Sequence, residues 1–160
     1  MSLLERWGMT SPAPTSAGSA LTRERKSRPS LLIVDDSTEI RTLLRAMLEN
    51  APYEVEEAHD GAVAVAKAKL RRYDLILMDI VMPEMDGVTA IRAIRQWEAS
   101  RGQQRARIIV LTAWTTKQAE RESRGSGADA YMSKPIRRAK LLEVLETRCS
   151  RIGDRPVIQT

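Results

Sequence analysis

The stretch from Asp74 to Gly87, with the sequence Asp-Leu-Ile-Leu-Met-Asp-Ile-Val-Met-Pro-Glu-Met-Asp-Gly, decides the fold. Its apolar run, Leu75 to Met78, has the length and composition of a strand that is buried on both faces. The run ends at Asp79, and Pro83 and the Asp86-Gly87 pair then predict a turn. A carboxylate at the end of a buried strand lies where open α/β sheets place their ligand sites. A lone Asp at this position is explained more readily by a cap of the following turn, so the rest of the chain has to decide between the two explanations.

Four other segments of the chain have the apolar or alternating pattern of strands. They are Leu31–Val34, Tyr53–Ala58, Ile108–Leu111 and Ala128–Met132. The segments between and after the strands predict five helices. The first begins at Ser37 or Thr38, and the other four span about 61–71, 88–99, 116–124 and 136–149. Strands that alternate with helices in this way predict an α/β fold, with a parallel sheet covered by helices on both faces.

Apolar residues at helical spacing predict which side chains face the core. The predicted core-facing residues of the first two helices are Ile40, Leu43, Leu44, Met47 and Leu48, followed by Ala62, Val65, Ala66 and Leu70. Those of the third and last helices are Ile91, Ile94 and Trp97, followed by Leu141, Leu142, Leu145 and Cys149. The fourth helix has only Ala119 as an apolar interior residue, so its predicted anchoring is weak.

Charge and composition limit the classes of function. The net charge is +5, but residues 1–30 hold five basic and two acidic side chains, so the basic excess belongs mostly to the N-terminal segment and nucleic-acid binding is not favoured. Cys149 is the single cysteine, and no apolar stretch is long enough to span a membrane, which together predict a cytoplasmic protein. We expect a disordered basic tail over 1–29, one domain over 30–150 and a short tail over 151–160.

Polar residues stand at the carboxyl ends of the apolar strands: Asp35 and Asp36, Asp79, Thr112, and Lys134 just after the fifth strand. Adjacent strand ends meet at one edge of a sheet, so these side chains are expected to converge. Three carboxylates repel one another unless a cation lies between them, and oxygen-only ligands suit Mg²⁺. The hydroxyl and the ammonium then remain for an anion, which favours phosphoryl transfer with a carboxylate as the nucleophile.

These residues, with their neighbours, resemble the receiver domains of two-component response regulators. The resemblance rests on Asp35-Asp36, Asp79 in its Met-Pro-containing segment, Thr112-Ala113, Gly127-Ala128-Asp129 and Lys134-Pro135, and it extends from about Ser30 to Ser150. It implies a flavodoxin-like, doubly wound five-stranded parallel sheet in the order 2-1-3-4-5.

The resemblance also implies a set of site residues. Asp79 is expected to accept the phosphoryl group. Asp36, Asp79 and the backbone carbonyl of Val81 are expected to bind Mg²⁺, while Asp35 acts through a bound water.

The resemblance further implies residues that contact the phosphoryl group and a residue that moves when the group is present. Lys134 is expected to contact the phosphoryl group and Thr112 to hydrogen-bond it. Tyr131, three residues before Lys134, resembles the aromatic switch of the family, and the Lys134–Pro135 bond is expected to be cis.

The implied partners are a histidine kinase or histidine phosphotransfer protein and an unknown downstream protein, with no membrane insertion. The terminal segments are short, so a stand-alone receiver is expected, and not an enzyme that acts on a separate substrate. Two alternatives remain. A Mg²⁺-dependent phosphatase with an aspartyl nucleophile would need a second Asp two residues after the first, where Val81 follows Asp79. A pseudo-receiver that binds proteins constitutively is disfavoured because every site residue is present.

Overall fold

The computed structural model describes residues 28–113, 121 and 124–147. Within them the chain forms five strands, β1 Ser30–Val34, β2 Glu54–Ala58, β3 Leu75–Asp79, β4 Arg107–Thr112 and β5 Ala130–Ser133. The helices with full bounds are α1 Thr38–Met47, α2 Gly61–Leu70, α3 Gly87–Arg101 and α4 Arg138–Glu146. The helix predicted over 116–124 and the predicted tails lie mostly outside the described residues.

The strands form one parallel sheet in the order β2-β1-β3-β4-β5, which confirms the predicted topology. β3 is central, and all five of its residues are buried. Alternate side chains of the strands enter two core clusters, one on each face, so Ile76 and Met78 lie in one cluster while Leu75 and Leu77 lie in the other. A sheet buried on both faces explains the unbroken apolar runs in the sequence.

Three helices begin at a polar cap that follows a strand or turn. Ser37, Asp60 and Asp86 are the N-caps of α1, α2 and α3, and each side chain accepts a hydrogen bond from the backbone N–H three residues later. Such caps satisfy donors that the first helical turn leaves unpaired. The caps of α1 and α2 directly follow the loops after β1 and β2, so they fix where those loops end.

The predicted inward face is partly wrong in α1 and mostly wrong in α2. Leu44 and Leu48 are buried, but the Leu43 side chain is 48% exposed. In α2 the buried residues are Gly61, Ala64 and Val65, whereas Ala62, Ala66 and Leu70 are exposed. The α2 segment is apolar on nearly every side, so its periodicity did not distinguish the face that packs on the sheet from the face that meets solvent.

The other helices differ from prediction mainly at their ends. α3 extends to Arg101, with Ile91 and Ile94 buried as predicted and Trp97 partly buried. α4 begins at Arg138, two residues later than predicted. In it Leu141 and Leu145 are buried as predicted, Leu142 is partly buried, and Val144 is buried although it was not predicted to be. Cys149 lies outside the described residues.

An arginine network, not predicted from the sequence, connects α3 to the loops before β4 and β5. The Arg95 guanidinium donates to the backbone oxygens of Gly127 at 2.9 Å and Ala106 at 2.8 Å. It also pairs with Glu98 at 2.7 Å and with Asp129 at 2.7 Å. Glu98 is buried and accepts a second hydrogen bond from the Ala106 N–H at 2.7 Å. We call these five residues the Arg95 network.

Candidate functional site

Three carboxylates lie together at the carboxyl end of the sheet. β1 and β3 are neighbouring strands; Asp35 and Asp36 follow β1, and Asp79 is the last residue of β3. One carboxylate oxygen from each of the three residues lies within 4.8 Å of the others. Asp35 and Asp79 are buried, whereas Asp36 is exposed, so the cluster opens to solvent on the Asp36 side.

Lys134 supplies a positive charge to this cluster. Its Nζ lies 2.8 Å from Asp35 Oδ2 and 3.3 Å from Asp79 Oδ1. The other oxygen of Asp35 accepts a hydrogen bond from the Ser37 N–H at 2.9 Å. The Asp35 carboxylate is therefore held in position from both sides, and the ammonium bridges the two buried acids.

Burial and the neighbouring charges together shift the pKa values of Asp79 and Lys134. Burial raises the pKa of Asp79 above its usual range, the Lys134 charge partly opposes this, and the Asp35 charge adds to it. Burial alone would lower the pKa of Lys134, but its hydrogen bond to Asp35 and the charges of Asp79 and Asp35 hold that pKa above its usual value. Lys134 therefore stays protonated at neutral pH.

The buried charge of Asp79 predicts a measurable effect on stability. In the absence of divalent cations, Asp79→Asn should raise the free energy of unfolding at neutral pH by on the order of 1 kcal/mol, because it removes a poorly solvated charge that Asp35 repels. A carboxyl whose pKa is raised on folding lowers stability above that pKa. The gain should therefore shrink as the pH falls through the raised pKa, and it should disappear below the ordinary value of 3.8, where the wild-type Asp79 carboxyl is mostly protonated in both the folded and unfolded states.

Urea denaturation with a metal chelator, at neutral and at acidic pH, measures this effect. Asp36→Asn is the matched control, since the exposed Asp36 should change the free energy of unfolding by less than about 0.5 kcal/mol. A less stable Asp79→Asn variant would mean that the attraction between Asp79 and Lys134 outweighs the desolvation of the carboxylate.

The remaining predicted site residues surround the cluster. Thr112 ends β4 in register with Ser133, and the Lys134 N–H donates to the Thr112 carbonyl at 2.7 Å. The bond between Lys134 and Pro135 is cis. Tyr131 is partly buried and packs against one core cluster from β5, and Val81, whose side chain is 54% exposed, lies two residues after Asp79 in the turn before α3.

Arg41 supports the site but was missed by the sequence interpretation. Its Nη1 donates to the backbone oxygens of Asp35 at 2.7 Å and Asp36 at 3.3 Å. Its Nε pairs with Glu57 on β2 at 3.1 Å. Arg41 thereby connects the loop after β1, which contains Asp35 and Asp36, to the neighbouring strand β2. No local sequence signal marks an arginine that acts on backbone oxygens several residues before it.

Gly87 is the second missed residue, and here the sequence did contain a signal in the Asp86-Gly87 pair. Its N–H donates to the Ile80 carbonyl at 2.9 Å, which closes the turn after β3. A Cβ at this position would lie 2.1 Å from the carbonyl oxygen of Asp79. The turn therefore reaches its conformation only with glycine at position 87, and the backbone of Asp79 is packed against it.

Comparisons with known proteins agree with this geometry. The family model described as response regulator receiver domain matches residues 31–146. The sensor protein GacS of Pseudomonas syringae pv. syringae is 39% identical over 117 residues, which are 73% of this chain and 13% of GacS. The chemotaxis protein CheY of Bacillus subtilis is 38% identical over 116 residues, which are 72% of this chain and 92% of CheY.

A solved structure is also similar to this chain in fold and sequence. The receiver domain of the sensor histidine kinase PA1611 of Pseudomonas aeruginosa, with a magnesium ion coordinated in its active-site cleft, has a TM-score of 0.66 and 38% identity. The similarity covers 73% of this chain and 93% of that domain. This chain belongs to the response regulator receiver domain family. Among the described residues, none of the helices has the length and apolar character needed to cross a membrane.

Proposed function

We propose that this protein is a phosphoacceptor of a two-component or phosphorelay system and that Asp79 receives the phosphoryl group. The observation that carries the proposal is the cluster of Asp35, Asp36 and Asp79, with Lys134 within 3.3 Å of both buried acids. A buried carboxylate beside a fixed ammonium has both a nucleophilic oxygen and a cation for the charge that develops on the transferred group.

The donor set fits Mg²⁺, because the three carboxylates have oxygens within 4.8 Å of one another and one side of the cluster is open to water. Asp36, Asp79 and the backbone carbonyl of Val81 would hold the ion, and Asp35 would act through a bound water. When bound, the ion would neutralise negative charge and orient phosphoryl oxygens.

The chain's own residues would carry out the transfer. The phosphoryl donor is a phosphohistidine on a kinase or on a phosphotransfer protein. An ionised oxygen of Asp79 attacks the phosphorus, a P–O bond forms, and the P–N bond to the donor imidazole breaks with its electron pair on nitrogen. Lys134 remains protonated and pairs with the phosphoryl oxygens, while the Thr112 hydroxyl donates to one of them. The protein thus catalyses only its own phosphorylation and dephosphorylation.

The same contacts would transmit the signal. Lys134 and Thr112 are connected through their backbones at 2.7 Å, and Tyr131 lies on the strand that leads to Lys134. Movement of Thr112 toward the phosphoryl group would shift the loop after β4 and let Tyr131 reorient. The surface around β5 and α4 would then favour a different downstream protein partner.

Intact-mass spectrometry after incubation with acetyl phosphate tests the proposal directly. We expect a gain of one phosphoryl group that requires Mg²⁺ and is lost on brief treatment with hydroxylamine, as for an acyl phosphate. Asp79→Asn should show no adduct, while Asp60→Asn, which changes the N-cap of α2, should be phosphorylated like wild type. An adduct that persists in Asp79→Asn would place the acceptor elsewhere, and no adduct in wild type would favour a pseudo-receiver.

The chain spans only 13% of GacS, so the activity and partners of a whole protein remain part of this proposal. The receiver would extend over residues 30–150, flanked by a basic segment before it and a short segment after it. The cytoplasmic location stays a prediction from the sequence.

A further inference from the structure

The outer face of α2 is an unusual surface for an exposed helix. Ala62, Ala66 and Leu70 follow one another at a spacing of four residues, so they lie along one side of the helix. All three are exposed, and the Leu70 side chain is 87% exposed. We call this line of apolar side chains the α2 stripe. The opposite side of α2, with Ala64 and Val65, already packs in the core, so no described element covers the stripe.

Two cations lie against the ring of Trp97 on α3, and one of them, Lys69, directly precedes Leu70 of the α2 stripe in the chain. Lys69 Nζ lies 5.5 Å from the centre of the Trp97 ring, and the Arg101 guanidinium lies 4.4 Å from it. Neither Lys69 nor Arg101 forms an ion pair with a described carboxylate. By contrast, the neighbouring Lys67 and Arg71 are paired with Glu56. We call Lys69 and Arg101 the Trp97 cations.

Trp97 lies next to both cations, and its one polar group is the indole N–H. Its indole Nε1 is buried and has no hydrogen-bond partner among the described residues. Trp97 as a whole is partly exposed, and both cations lie within 5.5 Å of the centre of its ring. The surface therefore combines an apolar line, an aromatic ring and two uncompensated positive charges within two adjacent helices.

We propose that this face binds a helix of a partner protein that carries small or aliphatic side chains along one side and carboxylates beside them. The two alanines leave room for close approach of a partner helix, and Leu70 would fill a gap between the partner's side chains. The carboxylates would pair with the Trp97 cations. This inference does not depend on phosphoryl acceptance by Asp79.

The positive charge of this surface disfavours two binding partners that the protein itself could provide, namely a second copy and its own N-terminal segment. A second copy would bring the same cations to the interface, and like charges that face each other oppose association. The N-terminal residues 1–30 carry five basic and two acidic side chains, so their net charge is positive, like that of the surface. The surface is complementary to an acidic partner.

The experiment uses the full 160-residue protein without a phosphoryl donor and a fluorescent synthetic helical peptide as the probe. The peptide has leucine and alanine along one face and glutamates on its flanks. Fluorescence anisotropy should show saturable binding that weakens with salt. The indole N–H signal of Trp97 and the amide signals of Ala66 and Leu70 should shift in nuclear magnetic resonance spectra of the labelled protein.

Substitutions separate the two parts of the surface. Leu70→Ser and the double variant Lys69→Glu/Arg101→Glu should each weaken binding about tenfold or more. All three positions are exposed, so circular dichroism should show unchanged folding. A second peptide with lysine in place of glutamate should bind the double variant better than it binds wild type, since the charges are then exchanged on both sides.

Arg92→Glu is the matched control. Arg92 is exposed on α3, has no ion pair with a described residue, and lies five residues before Trp97, about 140° around the helix. Its reversal should leave peptide binding unchanged. A loss of binding free energy in Arg92→Glu that is half that of the double variant or larger would mean that only net charge matters, because one reversal changes the charge by half as much as two, and this would overturn the proposal.

Three other outcomes would also overturn it. The first is absence of saturable peptide binding by wild type. The second is binding of a single-stranded oligonucleotide, or of anionic phospholipid vesicles, that is tighter than that of the peptide and lost in the same variants. The third is self-association in sedimentation experiments that Leu70→Ser abolishes, which would assign the face to a second copy of the chain.

Discussion

Replacing Arg95 with methionine is expected to lower the free energy of unfolding by about 3–5 kcal/mol, the range found when one partner of a buried ion pair is removed. The Arg95 side chain is only 12% exposed and Glu98 only 7%. Methionine keeps most of the aliphatic stem, so the loss comes mainly from the charge. Without the guanidinium, Glu98 remains buried with one hydrogen bond from the Ala106 N–H, and the carbonyls of Ala106 and Gly127 lose a donor.

Urea denaturation followed by circular dichroism measures the loss, and two further variants test its cause. Arg92→Met changes an exposed arginine of the same helix and should alter the free energy of unfolding by less than about 0.5 kcal/mol. Adding Glu98→Gln to Arg95→Met should recover part of the stability, because the charge left unpaired is removed. An Arg95→Met variant as stable as Arg92→Met would show that the network is not a net source of stability.

Gly87→Ala is expected to lower the free energy of unfolding by about 3 kcal/mol, near the upper end of the usual range for overpacking. The added Cβ would overlap the Asp79 carbonyl oxygen at 2.1 Å and approach the Ile80 Cα to 2.9 Å. Both neighbours are backbone atoms of β3 and its turn, which cannot move aside as a flexible side chain does. The turn must shift, and Asp79 shifts with it.

Gly87→Ala should therefore impair the site as well as the fold. If Asp79 is the acceptor, the rate of labelling by acetyl phosphate should fall about tenfold or more under conditions where the variant is still folded. Gly102→Ala adds the same methyl group at a position with φ of +60° and no atom within 4 Å of the new Cβ. The free energy of unfolding of this control should fall by only about 1 kcal/mol, because alanine is disfavoured in a left-handed conformation. Its labelling rate should equal that of wild type. Equal labelling rates in both variants would contradict a role of Gly87 in positioning Asp79.

The sheet could be predicted from the sequence because its physical signal is strong and local. A strand buried on both faces needs an unbroken apolar run, and Leu31–Val34 and Ile108–Leu111 have one. The positions of Asp35 and Asp79 follow from the same reasoning, since each residue stands where such a run or strand ends. Observed strand ends differ from the predicted ones by at most two residues, and three of them coincide.

The side-chain faces of α2 could not be predicted in the same way. A helical pattern identifies the buried side only when the other side is polar, and α2 has alanine or valine at six of its ten positions, with leucine at a seventh. The sequence predicted Ala62, Ala66 and Leu70 inside, whereas packing on the sheet selected Ala64 and Val65. The wrong prediction of the buried face and the proposed docking face have the same cause: α2 contains more apolar residues than can pack into the core.

Both the Arg95 network and the candidate site depend on contacts between residues far apart in sequence, which no local pattern encodes. Arg95 joins Asp129 across 34 residues, and Lys134 joins Asp35 across 99 residues. Lys134 was anticipated because strand ends of one sheet converge. The role of Arg95 was not, since an arginine on a helix is usually exposed and only the loops before β4 and β5 determine that it is enclosed.

The sheet order also divides the site into parts that should exchange amide hydrogens at different rates. Asp79 ends β3, which has strands on both sides, whereas Lys134 follows β5, which pairs only with β4 among the described strands. Partial opening of a sheet begins at strands with fewer neighbours and requires less free energy than global unfolding. Amides of β5 should therefore exchange faster than those of β3. We therefore expect Lys134 to leave and rejoin the site more often than the carboxylates that follow β1 and end β3 change their arrangement.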